Sequence, residues 1–139
     1  MPTTSNHRAA FRRFRSNAEK ATLAVARDVA AQMAESLVIK TPVDTTRAEA
    51  NWIAALNTIP QDFDETRRNS GGTRLNLNKA IGIAKRMKLG DVFVMANSTQ
   101  YIFFLEHGSS QQAPAGFRDL TAAMFHRMVE RAAKRRLQS

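Results

Sequence analysis

The chain contains no cysteine. That absence excludes disulfides, thiolate-held zinc and a cysteine nucleophile, and it suits assembly in a reducing cytoplasm. No apolar run approaches the roughly 20 residues needed to cross a membrane, and no signal-length apolar block follows the first arginines. The expectation is a soluble, unexported chain with no membrane partner. Proline and glycine are sparse, four and six residues, and neither occurs between His7 and Ile39. Apart from eight phenylalanines, the aromatics are one tryptophan and one tyrosine. No internal repeat shows at any period of 20 to 50 residues, which excludes a solenoid.

Acids are also scarce, 12 against 21 Lys and Arg, for a net charge of +9. Their placement matters more than their number. Arg8, Arg12, Arg13 and Arg15 precede any acid, and Arg127, Arg131, Lys134, Arg135 and Arg136 face only Glu130. Two basic termini call for an anionic neighbour, either nucleic acid or an acidic protein surface, held by screened attraction. Solvated helix ends are the plain alternative.

What is present describes one domain spanning 1–139, with 1–15 a basic arm and 60–74 a mobile loop. At 139 residues, 43% hydrophobic and 24% charged, the chain has an ordinary globular composition and no room for a second full domain. The unbroken, alanine-rich stretch from His7 to Ile39 predicts a helix. Leu23, Ala26, Ala30, Met33 and Leu37 recur at three and four residues and mark its buried stripe. Ser16 and Glu19 have capping-box spacing, so the Phe11/Phe14 segment is expected to be separate or kinked. Pro42 closes the helix.

Ala50 to Asn57 reads as a strand with Trp52, Ala54 and Leu56 on one face. Leu77, Ala80, Ile81, Ala84 and Met87 give a short amphipathic helix that stops near Gly90. Asp91 to Asn97 is a second strand, expected in the middle of a sheet. Phe117, Leu120, Met124 and Met128 mark the core face of a last helix. The order implies an α+β fold, with long N-terminal and C-terminal helices packed on a small, mostly antiparallel sheet and one further short helix.

Chemistry-bearing patterns are weak. His7, His107 and His126 lack metal-ligand spacing, and no cofactor is expected. Glu106 and His107 are adjacent, so their side chains point apart and make a poor acid–base pair. Gly71-Gly72 lacks the pattern of a nucleotide loop, and Ser109 and Ser110 have no nucleophile elbow around them. Asp62, Asp64 and Glu65 are compensated by Arg67 and Arg68. No catalytic or metal residue is assigned, and the chain is not expected to be an enzyme. Phe11 and Phe14, three apart on a helix, share a face; among arginines they suit docking into a neighbouring protein better than base stacking.

Two stretches resemble a known family. Thr41-Pro42-Val43-Asp44-Thr45-Thr46-Arg47, running on to Asn51-Trp52, is similar to a segment of the neck and tail-completion proteins of long-tailed bacteriophages, also called minor tail components or head–tail connectors. Asn97-Ser98, Tyr101, Leu105-Glu106-His107-Gly108-Ser109-Ser110-Gln111-Gln112-Ala113-Pro114-Ala115-Gly116 is similar to a second segment of that family, in the same order. Thr46 stands where the family usually has glycine, and Gln100 where it often has proline. The remaining layout is similar from about residue 16 to 135.

The resemblance implies a structural virion protein at the head–tail junction: a homo-oligomer, as a hexameric ring, between head-closure or connector proteins and the tail tube or tail terminator. DNA crosses its lumen, with non-specific contact to the DNA there. On the matching positions, Asp44 would accept backbone amides in an Asx turn, and Trp52 with Tyr101 would anchor the core. Glu106 would face a basic group such as Arg47 across a subunit boundary. The loop carrying Ser109, Gln111, Gln112 and Pro114 would touch a neighbouring subunit. The basic residues Arg8, Arg12, Arg13, Arg15, Arg131, Arg135 and Arg136 would meet a partner or DNA. The competing reading is a small basic DNA-binding protein that uses its arginine-rich ends.

Overall fold

The computed structural model describes residues 4–41, 50–61, 73–99, 102 and 117–137. Over these residues the order is α1 (Thr4–Lys40), β1 (Trp52–Leu56), α2 (Thr73–Lys85), β2 (Phe93–Asn97) and α3 (Phe117–Leu137). The architecture is α+β, as the sequence implies.

Helix α1 runs 37 residues without a break, about 55 Å at 1.5 Å per residue. The expected kink before Ser16 is absent, and residues 4–15 belong to the same helix. With no proline or glycine at hand, extending an existing helix costs less than starting a second one.

The core gathers on the C-terminal half of α1, which buries two sides at once. Val29, flanked by Val25 and Met33, packs on Met128 and Ala132 of α3. Ala30 and Ala34 face α2 and the sheet, where Ala84, Met87, Ala80 and Ala54 complete the contact. The stripe is therefore wider than the five positions predicted, adding Val29, Ala34 and Val38 to Ala30 and Leu37. Ala34, Ala84 and Ala132 are fully buried, so the helices meet through small side chains. Val29, Leu37, Val38 and Met128 supply the larger apolar burial, about 1.5 to 3 kcal/mol each before conformational entropy is charged.

Helix α3 lies antiparallel on α1. Ser36 and Thr121 share a hydrogen bond of 2.7 Å, Lys40 Nζ reaches Met124 Sδ at 2.9 Å, and Arg136 meets Asp28. From Ser36–Thr121 to Asp28–Arg136 the numbers fall on α1 as they rise on α3, so the C-terminal end of α3 sits beside the middle of α1.

The strands β1 and β2 pair antiparallel, with Trp52 opposite Asn97 and Leu56 opposite Phe93. Alternation places Ala54, Leu56, Phe93 and Met95 toward the helices, in the core clusters. The sheet has two strands among the described residues. Strand β2 is thus not central there, although its apolar character suggested so; burial by helices on one face suffices to explain Phe93 and Met95. Of the expected loop at 60–74, Thr73 and Arg74 are helical and 62–72 lie outside the described residues.

A polar corner closes the sheet. Asn57 has a φ of 63°, a left-handed conformation that asparagine tolerates. Its backbone N–H donates to the Val92 carbonyl at 2.8 Å, and its side-chain oxygen accepts from the Val92 N–H at 2.9 Å. Gly90, with a φ of 91°, provides the preceding turn at no steric cost.

Candidate functional site

The sequence nominates two kinds of site, and they fare differently. Asp44, Arg47, Tyr101, Glu106, Ser109, Gln111, Gln112 and Pro114 all lie outside the described residues. The two ends of the first resemblance segment are described, and they touch. The Trp52 indole Nε1 donates to Thr41 Oγ1 at 2.8 Å, and the Thr41 hydroxyl donates to the Leu37 carbonyl at 2.6 Å. Thr41 is buried and Asn51 entirely so. Trp52 itself is half-buried, and its indole bond joins the entry of β1 to the last turn of α1. Sequence reading passed over Thr41 and Asn51, because polar side chains beside a proline-containing segment look like loop.

The basic termini are described almost in full, and they make an unusual surface. Residues Thr4 to Thr22 of α1 are exposed on every side, save for a half-buried Ala9. Packing on α1 begins only at Leu23. About 28 Å of helix therefore projects from the body. Phe11 and Phe14 stand on it 64% and 70% exposed. Together with Ala18, Ala21 and Val25 they recur at spacings of three and four, a stripe that leads directly into the Val25–Val29 contact with α3. The apolar track on which α3 packs thus continues for several turns past the end of α3. A shallow groove beside it is lined by Thr4, His7, Arg8, Phe11 and Arg12.

Around this stripe Arg8, Arg12, Arg13 and Arg15 are exposed. Arg15 makes one long contact, 3.9 Å, with Glu19 on the next turn; a solvated pair of this kind contributes little. At the end of α3, Arg131 and Arg135 are exposed as well. Arg136 is held: its Nε and Nη2 donate to the two Asp28 oxygens, each at 3.0 Å. These charge-assisted bonds, and the Asp28 charge, raise the Arg136 pKa above its ordinary value. The pairing spans 108 residues, so sequence reading had no signal for Asp28.

For other chemistry the described residues provide little. They contain no group of three or more His, Cys, Asp or Glu that could hold a metal ion, and no helix among them is long and apolar enough to cross a membrane. His126 lies on the surface of α3, 3.5 Å from Glu130, far from His7 on the projecting end of α1. His107 is outside the described residues.

Comparison with protein-family models, with curated proteins and with solved structures finds no match for this chain.

Proposed function

We propose that the chain is a structural subunit of a tailed-bacteriophage virion, one copy of a ring at the head–tail junction, and that it acts by assembly rather than catalysis. The resemblance of residues 41–52 and 97–116 to neck and tail-completion proteins supports the choice of particle. The observation that carries the assembly role is the projecting half of α1. A solvated helix end bearing two exposed phenylalanines loses hydration free energy that a partner surface would recover, and helices owe most of their stability to such packing.

The charge around the stripe also argues for the type of contact. A two-fold contact of this helix with its own copy would set Arg8, Arg12 and Arg15 near their counterparts, which is repulsive. A head-to-tail contact, with the stripe of one subunit on a different surface of the next, avoids this. Such heterologous contacts close into rings when the rotation allows. In this reading the ring lies between head-closure or connector proteins and the tail tube or terminator, with DNA crossing its lumen.

Because the chain has no cysteine, one introduced thiol labels uniquely. A nitroxide on Ala10→Cys, one turn from Phe14, should be mobile in dilute protein and immobilised as concentration rises. The double variant Phe11→Ser/Phe14→Ser should keep the label mobile throughout. Unrestricted motion at every concentration in the otherwise wild-type chain would remove the support for the α1 contact.

A further inference from the structure

The second basic segment of the sequence ends where the first one leaves the body of the fold. Helix α3 runs antiparallel to α1, and the Asp28–Arg136 pair pins its last turns to the middle of α1. The last turns of α3 thereby lie beside residues 28–32, at the base of the projecting half of α1. Between them, residues 4–28 and 127–137 hold eleven Lys and Arg against three Asp and Glu, a net +8 of the chain's +9, and the remainder of the chain is close to neutral. Nearly the whole charge excess lies in these two helical segments.

Both segments are open to solvent. Arg12, Arg13 and Arg15 on α1 and Arg131, Lys134 and Arg135 on α3 are all exposed. Nine of the eleven cations are arginine, the side chain whose planar fork suits two-point contact with phosphate. On α1 the charges extend from Arg8 to Arg27, about 28 Å of axis. Duplex DNA carries roughly 17 phosphates over that distance. An anion that repeats along its length can meet such an array in many registers, whereas an acidic protein would need carboxylates placed to match it on both helices.

We propose that this basic surface, running from the projecting half of α1 on to the end of α3, is a single binding site for duplex nucleic acid, engaged through the phosphate backbone. The site uses the arginines of both helices together, and Asp28 restrains one of them. Phe11 and Phe14 take no part in it, so the inference stands apart from the assembly reading.

The test is a fluorescence-anisotropy titration of the full chain with a labelled random-sequence duplex of 30 base pairs, at salt from 50 to 200 mM. Binding should weaken by about a thousandfold over that range, as expected for roughly six phosphate contacts. Arg12→Gln/Arg13→Gln/Arg15→Gln and Arg131→Gln/Lys134→Gln/Arg135→Gln should each lower the steepness of the log–log salt dependence by about two to three, with stoichiometry unchanged. Helical circular dichroism checks that both variants fold. If only one of the two triple variants changes the slope, the ends do not form one site and the proposal fails. It fails too if the wild-type chain does not bind at 50 mM salt, or if polyglutamate of equal charge competes as well as DNA, which would make an acidic protein the occupant. None of these readings depends on the mobility of a label near Phe14, so loss of this proposal and loss of the assembly reading are separate results.

Discussion

Trp52 and Thr41 meet across a hydrogen bond of 2.8 Å that joins the start of β1 to the end of α1. The Thr41 hydroxyl accepts from the indole and donates to the Leu37 carbonyl, so one buried oxygen serves both elements. Thr41→Val keeps the shape and removes the relay. It leaves the indole N–H and the carbonyl short of a partner, at a cost of about 1 to 3 kcal/mol, and urea denaturation should show a lower midpoint with an unchanged slope. A midpoint equal to wild type would mean that water replaces the hydroxyl.

Arg27 does for α2 what Thr41 does for β1. Its Nε and Nη2 both donate to the Met87 carbonyl, at 2.8 and 2.6 Å, tying α1 to the residues that follow α2. In Arg27→Met the apolar stem persists but the carbonyl loses a charged donor. The loss should be about 1.5 to 3 kcal/mol, visible as a lower melting temperature. Far-UV circular dichroism at 20 °C should be unaltered.

Asp91 gives the corner of the sheet a pH dependence. Its carboxylate accepts from Asn57 Nδ2 at 3.0 Å and from the Lys88 N–H at 2.8 Å. These bonds, the Asn57 one foremost, hold its pKa below the usual carboxylate value. The folded carboxyl binds its proton less tightly than the unfolded one. Its stabilisation is therefore complete above about 3.9, the ordinary value for aspartate, and disappears as pH falls through the lower folded value. Asp91→Asn should be less stable than wild type at pH 7, and the gap should close in melts as pH falls past the ordinary aspartate value and through the lower folded one. A constant gap across that range would assign the effect to something other than ionisation.

Gly82 lies inside α2, and a Cβ built there meets nothing within 4 Å. Gly82→Ala removes conformational freedom from the unfolded chain without a clash. It should stabilise by about 0.5 to 1 kcal/mol, and a destabilised variant would point to a contact that the substitution disturbs.

Much of the fold was legible from local pattern, and the failures share a cause. The alternation of Trp52, Ala54 and Leu56 placed the inner face of β1, and the spacing of Ala30 and Leu37 placed one face of α1. Val29, Ala34 and Val38 were missed because α1 packs on α3 and on the α2–sheet layer at once. A single stripe cannot register two partners. The Ser16–Glu19 spacing misled, since a cap matters only where the chain must leave helical angles, and nothing here obliges it to. Arg131 and Arg135 were legible as charges, yet their nearness to the middle of α1 was not. That nearness follows from antiparallel packing between residues about 100 apart in sequence.

The assembly reading rests on the exposed track of Phe11 and Phe14, and molar mass by light scattering across a concentration series tests it most directly. The account predicts that the 15.5 kDa chain gives way to one discrete closed multiple, six copies as the resemblance implies. That species should stop growing, and Phe11→Ser/Phe14→Ser should remain monomeric. A wild-type mass of 15.5 kDa at every concentration, or equal assembly by the double variant, would contradict it.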